Sequence, residues 1–100
     1  MIIPKEFSLF GEKIKVEFKD SLDWETDSVG EARYRESRIV LQKRVKGHPT
    51  NRQRQERWFC HELVHHILFQ LKEEAYSNEK FVENVGALIH QFLTTQQGKQ

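Results

Sequence analysis

The sequence is short of several things, and each shortage narrows what the chain can be. It holds one cysteine, Cys60, in 100 residues, so no disulfide can form within the chain and nothing in the composition asks for an oxidising compartment. Prolines number 2 and glycines 5, too few for a collagen-like or low-complexity chain. An excess of one charge is also missing: 16 Lys+Arg stand against 15 Asp+Glu, a formal net charge of +1. That balance argues against a nucleic-acid partner, although Lys43, Arg44, Lys46, Arg52, Arg54 and Arg57 bunch into a local basic patch. No apolar run is long enough to cross a membrane, since the richest stretch, Leu63 to Leu71, is broken by His65, His66 and Gln70. Met1 to Glu6 lacks the basic-then-apolar pattern of an export signal. The expectation is a cytoplasmic protein with no membrane attachment.

What is present is enough for one small core. Hydrophobic residues make up 37% and aromatics 11%, which at this length supports a single domain over residues 1–100 and not two. Up to about residue 45 the apolar residues alternate: Phe7 and Leu9 before Gly11, then Ile14, Val16 and Phe18 with charged residues between them. Val29 to Tyr34 and Arg38 to Leu41 flank a polar turn in the same manner, and Asp20 to Ser28 reads as turn-rich. Alternation with short turns predicts a small antiparallel β-sheet from about residue 5 to 45. Gly47 and Pro49 then punctuate the chain, and the period becomes helical. One helix is predicted from about Asn51 to Lys72, with Cys60, Leu63, Val64, Ile67 and Leu71 on its buried side. A second is predicted from about Asn78 to Thr94, burying Phe81, Val82, Val85, Leu88, Ile89, Phe92 and Leu93. The fold class is α+β, and the polar stretch from Thr94 to Gln100 reads as a fraying end.

The first helix carries His61-Glu62-Leu63-Val64-His65, an H-E-x-x-H motif. Histidines at i and i+4 lie one turn apart, so both imidazoles can reach one ion, and the intervening glutamate sits where it can deprotonate a water held by that ion. His65 falls about 40° and Glu62 about 100° from His61 around the helix, away from the apolar side. Two histidines and a glutamate off the core stripe are poorly explained by burial. Zinc is the ion that suits this pair, with Glu62 as general base.

A catalytic zinc site takes three protein ligands and keeps one position open. The continuation that would place a third histidine on the same helix is absent, because Leu68 and Leu71 occupy the required glycine and histidine positions. A glutamate from the next helix is the alternative, and Glu79 and Glu83 both edge its buried face. One can ligate while the other accepts a hydrogen bond from a ligand histidine. Other residues have plainer readings. His66 is a boundary residue, and His90 lies about 16 Å along the helix from Glu79, too far for the same ion. Gly86 lets the two helices approach closely, Trp58 floors the site, and Tyr34 is a candidate for oxyanion support.

His61 to His65, followed by Asn78-Glu79 and an acid four residues later, resembles the gluzincin arrangement. With its short strand half before the motif helix, the chain looks like the minigluzincins and the small ImmA/IrrE-type zinc peptidases of phages and mobile elements. The resemblance implies His61, His65 and Glu79 as zinc ligands, with Glu83 as the supporting acid. It implies a zinc metallopeptidase that hydrolyses a peptide or protein substrate by a zinc-activated water, with Glu62 taking the proton. It further suggests Val29 to Tyr34 or Arg38 to Leu41 as the strand that positions the substrate. Glu83 is longer than the Asp or Asn usual in the family, and the two acids could exchange roles. The alternative is a zinc-binding, proteolytically inactive protein-interaction domain of the same phage or mobile-element origin.

Overall fold

A computed structural model describes residues 1–20, 29–45 and 48–98. Strands β1 (Glu6–Leu9), β2 (Glu12–Lys19), β3 (Gly30–Arg33) and β4 (Arg38–Gln42) form one sheet in the order β1-β2-β4-β3. A two-stranded ribbon, β5 (Arg44–Val45) with β6 (His48–Pro49), occupies the region that the sequence marks only as a break. Helices α1 (Arg52–Gln70) and α2 (Glu79–Thr95) follow, joined by a short 3-10 turn at Glu74–Ser77. The turn-rich segment expected up to Ser28 lies, from residue 21, outside the described residues.

Two hairpins build the sheet. β1 and β2 turn at Phe10 and Gly11, both at positive φ (49° and 79°), the backbone that a two-residue hairpin needs. β3 and β4 turn through Tyr34–Ser37, where the Ser37 N–H donates to the Tyr34 carbonyl (3.2 Å). Each hairpin is antiparallel, as expected, but the expectation of a wholly antiparallel sheet is corrected where they meet: β2 pairs with β4 in parallel, Val16 opposite Ile39 and Phe18 opposite Leu41. The reason lies in β4. Ile39, Val40 and Leu41 are all fully buried, the continuous apolar run of a central strand. The more polar β3, Gly-Glu-Ala-Arg, takes the edge.

Ile14, Ile39 and Leu41 meet Phe59 and Cys60 of α1 in the core, and Phe7 packs edge-on against Phe59 (centroids 5.9 Å apart). Each of the larger buried apolar side chains contributes about 1.5–3 kcal/mol. Burial pushes the Cys60 thiol up to about 11, which makes it an inert packing group. His66 is only 2% exposed, so the boundary reading is corrected. Its Nε2–H donates to the Arg38 carbonyl (2.8 Å), fastening α1 to the start of β4. α1 stops at Gln70, two residues earlier than expected, with Lys72 at positive φ (59°), and Leu71 is left exposed rather than in the core.

α2 packs on α1 along a narrow line centred on Val82 and Gly86. A Cβ on Gly86 would lie 3.0 Å from the His61 Cα, tighter than an ordinary contact, so glycine favours this approach. His90 meets the buried Glu56 (3.0 Å) further along the same seam. The expectation that α2 buries its whole apolar side is corrected: Phe81, Leu88 and Phe92 are 45%, 66% and 63% exposed. The helix lies against α1, and the sheet does not reach that face. No helix among the described residues is long and apolar enough to cross a membrane.

Two stability tests arise from this packing. Gly86→Ala gains about 0.8–1.0 kcal/mol of helix propensity but drives a methyl into unyielding backbone, an overpacking cost of about 1–3 kcal/mol. Denaturant unfolding should therefore show a net loss of about 1 kcal/mol; a stabilised variant would mean the helices are not in close contact. Burial holds His66 below its usual 6.5, only partly offset by the Arg38 carbonyl and Glu12. The unfolded chain thus binds more protons than the folded one as pH drops below 6.5, and this contribution, complete above 6.5, is lost on acidification. Stability measured from pH 7 down to 5 should fall more steeply in the wild type than in His66→Gln.

Candidate metal centre

Helix starts set the site. Asn51 caps α1, its side-chain oxygen accepting from the Arg54 N–H (2.8 Å), and Asn78 caps α2 in the same way through the Phe81 N–H (3.1 Å). The second cap places Glu79 at the first position of α2, where the helix dipole favours an acid, and Glu83 one turn later. With Gly86 holding α2 against the backbone of His61, both glutamates face the histidine turn of α1.

The far nitrogen of each histidine is already occupied. His61 Nδ1 lies 2.7 Å from a Glu83 carboxylate oxygen, and His65 Nδ1 lies 2.6 Å from the Tyr76 carbonyl. Both contacts require Nδ1–H as donor, so a neutral ring carries its lone pair on Nε2. The two Nε2 atoms are 3.2 Å apart, and Glu79 oxygens lie 3.1 Å from His61 Nε2 and 2.9 Å from His65 Nε2. Groups this close are held by a positive charge among them, either a proton on one ring or a metal ion. Donors at 2.0–2.1 Å from a tetrahedral ion lie about 3.3 Å apart, so the spacing fits a small dication. His61, His65 and Glu79 are thus close enough together to bind a metal. Glu83 stands outside that trio, steadied on its other side by Arg57 (3.3 Å).

Tyr76 belongs to the 3-10 turn, and an aromatic cluster holds it. Tyr34 stacks on Phe69 (centroids 4.3 Å), and Tyr76 meets both rings edge-on at 5.7 and 5.8 Å. Tyr34 is built into this support, and burial, aided by Glu62, keeps its hydroxyl protonated, pushed up to about 12. His90 lies on Glu56 and His66 on the sheet, so neither joins the cluster.

Glu62 is 7% exposed. Burial, then the charges of Glu79, Glu31 and Glu83, pushes its carboxyl up to about 8; a dication beside it would act in the opposite sense. The β3 backbone passes directly over it: a Cβ on Gly30 would sit 3.0 Å from a Glu62 oxygen. Sequence reading passed over Gly30, though a glycine inside a strand pattern is a signal of close backbone approach. The Tyr76 carbonyl left no signal, because a backbone atom has no residue identity. An open cleft of about 790 Å³ surrounds the trio, bounded by Val29 and Gly30 on one side and by Arg54, Arg57 and Trp58 along α1.

Metal titration by chelator competition separates the roles of these residues. Alanine at His61, His65 or Glu79 should abolish tight one-to-one binding, whereas Glu83→Ala should retain it with affinity lowered about 10–100-fold. The reverse pattern between the two glutamates would exchange their roles. No protein-family model, curated protein or solved structure matches the chain, so its functional reading rests on the site itself.

Proposed function

We propose that the chain is a zinc metallopeptidase, related to the minigluzincins and the ImmA/IrrE-type peptidases of phages and mobile elements that its motif resembles. The observation that carries the reading is the convergence of two imidazole Nε2 atoms and a Glu79 carboxylate beside a buried glutamate with no ligand role of its own. Two nitrogens and a carboxylate form a His₂Glu set, the open three-ligand composition of a catalytic zinc site. Zinc in that set supplies a Lewis acid that polarises a peptide carbonyl and makes a water acidic at neutral pH.

The remaining work falls to the chain. Glu62 in its carboxylate form takes a proton from the attacking water and delivers it to the departing amine. Its burial keeps bulk water from competing for that proton, while Glu62 still lines the cleft. Glu83 and the Tyr76 carbonyl fix the tautomer and the aim of the two histidines. Of the two strands suggested for substrate positioning, β4 is paired on both sides and β3, among the described residues, on one only. An extended peptide can therefore add to the free edge of β3, with its backbone running past Gly30 and Glu62.

Glu62→Gln keeps shape and removes the base. Hydrolysis of an unstructured protein by the zinc-loaded chain should fall about 10²–10⁴-fold, with zinc content unchanged. Full activity in the variant would remove Glu62 from the mechanism, and a wild-type chain that holds zinc yet cleaves nothing would be the silent interaction domain.

A further inference from the structure

The first turn of α1 breaks a local rule. Helix starts favour acids, because the macrodipole is positive there, yet the first turn of α1 has no acidic residue and carries Arg52 and Arg54, with Arg57 one turn later. Two of these charges have structural partners: Arg52 reaches Glu56 (3.4 Å) and Arg57 reaches Glu83 (3.3 Å). Arg54 is exposed and has no side-chain partner among the described residues, and it lines the same cleft as the metal trio. Arg54, Trp58, His61 and His65 follow one another at spacings of four, three and four, so they form one stripe along α1. Cleft, stripe and unexplained charge coincide.

We infer that Arg54 and the half-buried Trp58 form a carboxylate-binding subsite of the cleft, which selects peptides carrying an anionic group to one side of the bond to be cut. This rests on the peptidase reading above and names the substrate class within it. Arginine presents a planar fork of donors that matches a carboxylate with two parallel hydrogen bonds, and the Trp58 ring beside it supplies an apolar wall for the stem of the bound residue. Arg54 precedes His61 by seven residues, about 10 Å along the helix. An extended peptide advances about 3.3 Å per residue, so the anionic group lies about three residues from the metal trio. The same chemistry could come from an acidic side chain or from the terminal carboxylate of a peptide that ends there.

The test is equilibrium binding to the zinc-loaded Glu62→Gln chain. The probes are an alanine-rich decapeptide and a series with one aspartate moved through each position, each made with a free and an amidated C terminus. An aspartate in one register should tighten binding about tenfold, the scale of one charge-assisted hydrogen bond. Should amidation alone weaken binding by that factor, with no effect of aspartate position, the terminal carboxylate is the group recognised. In either case the preference should vanish in Arg54→Ala and turn towards lysine-bearing peptides in Arg54→Glu, an inversion that a merely structural role would not give. Equal affinity for neutral and anionic peptides, a preference that survives Arg54→Ala, or no binding by any probe overturns the inference. Cleavage of an unstructured protein by the wild type is scored separately, so proteolysis without carboxylate preference removes the subsite alone.

Discussion

Two imidazole nitrogens and the Glu79 carboxylate lie about 3 Å from one another, an arrangement that favours a positive charge among them, a proton or a metal ion. That constraint organises the second half of the molecule. It requires each histidine to give its Nδ1 proton to something else, and the chain supplies Glu83 for His61 and the Tyr76 carbonyl for His65. It requires α2 to lie close enough for Glu79 to reach both rings, and Gly86 removes the side chain that would hold the helices apart. The aromatic packing of Tyr34, Phe69 and Tyr76 then has a use beyond burial, since it fixes the turn whose carbonyl orients His65.

The sheet contributes through its edges. Placing the apolar β4 in the centre leaves β3, among the described residues, with one unpaired side, and β3 is the strand whose backbone crosses Glu62. An exposed edge is a liability in a small protein, because it can pair with another chain. Here it borders the cleft, through Val29 and Gly30. A thin core built on Ile14, Ile39, Leu41, Phe59 and Cys60 gives little stability to spare. An ion joining α1 to α2 would add to it, because binding to the folded chain alone stabilises that chain by mass action.

What could be read beforehand follows from which interactions are local. His61, Glu62 and His65 lie within one and a half turns of one helix, so their spacing fixes their relation before any tertiary contact is known. Glu79 and Glu83 are likewise one turn apart, and helix geometry places them on one stripe, but which of them meets both histidine Nε2 atoms depends on how α2 meets α1. The two hairpins are local and were legible, whereas the parallel meeting of β2 and β4 is a choice between whole hairpins that alternation does not encode. Phe81, Leu88 and Phe92 read as core because a helical stripe carries no information about how wide a neighbour will cover it. His66 was underestimated for the converse reason: its partner is a backbone carbonyl on a strand 28 positions away.

Electrostatics ties the site to the stability of the fold. Glu62 is buried and lies within the field of Glu79, Glu31 and Glu83, all of which oppose its ionisation. A dication held by the trio reverses that field, favouring the carboxylate that a general base requires. The same groups therefore repel one another in the metal-free chain, and an ion held by the trio would link metal affinity to the ionisation of Glu62 through a single cluster of charges. Arg57, bound to Glu83, takes part of that negative charge. Arg54, one turn further from His61, has no side-chain partner among the described residues, and its charge remains available to whatever enters the cleft.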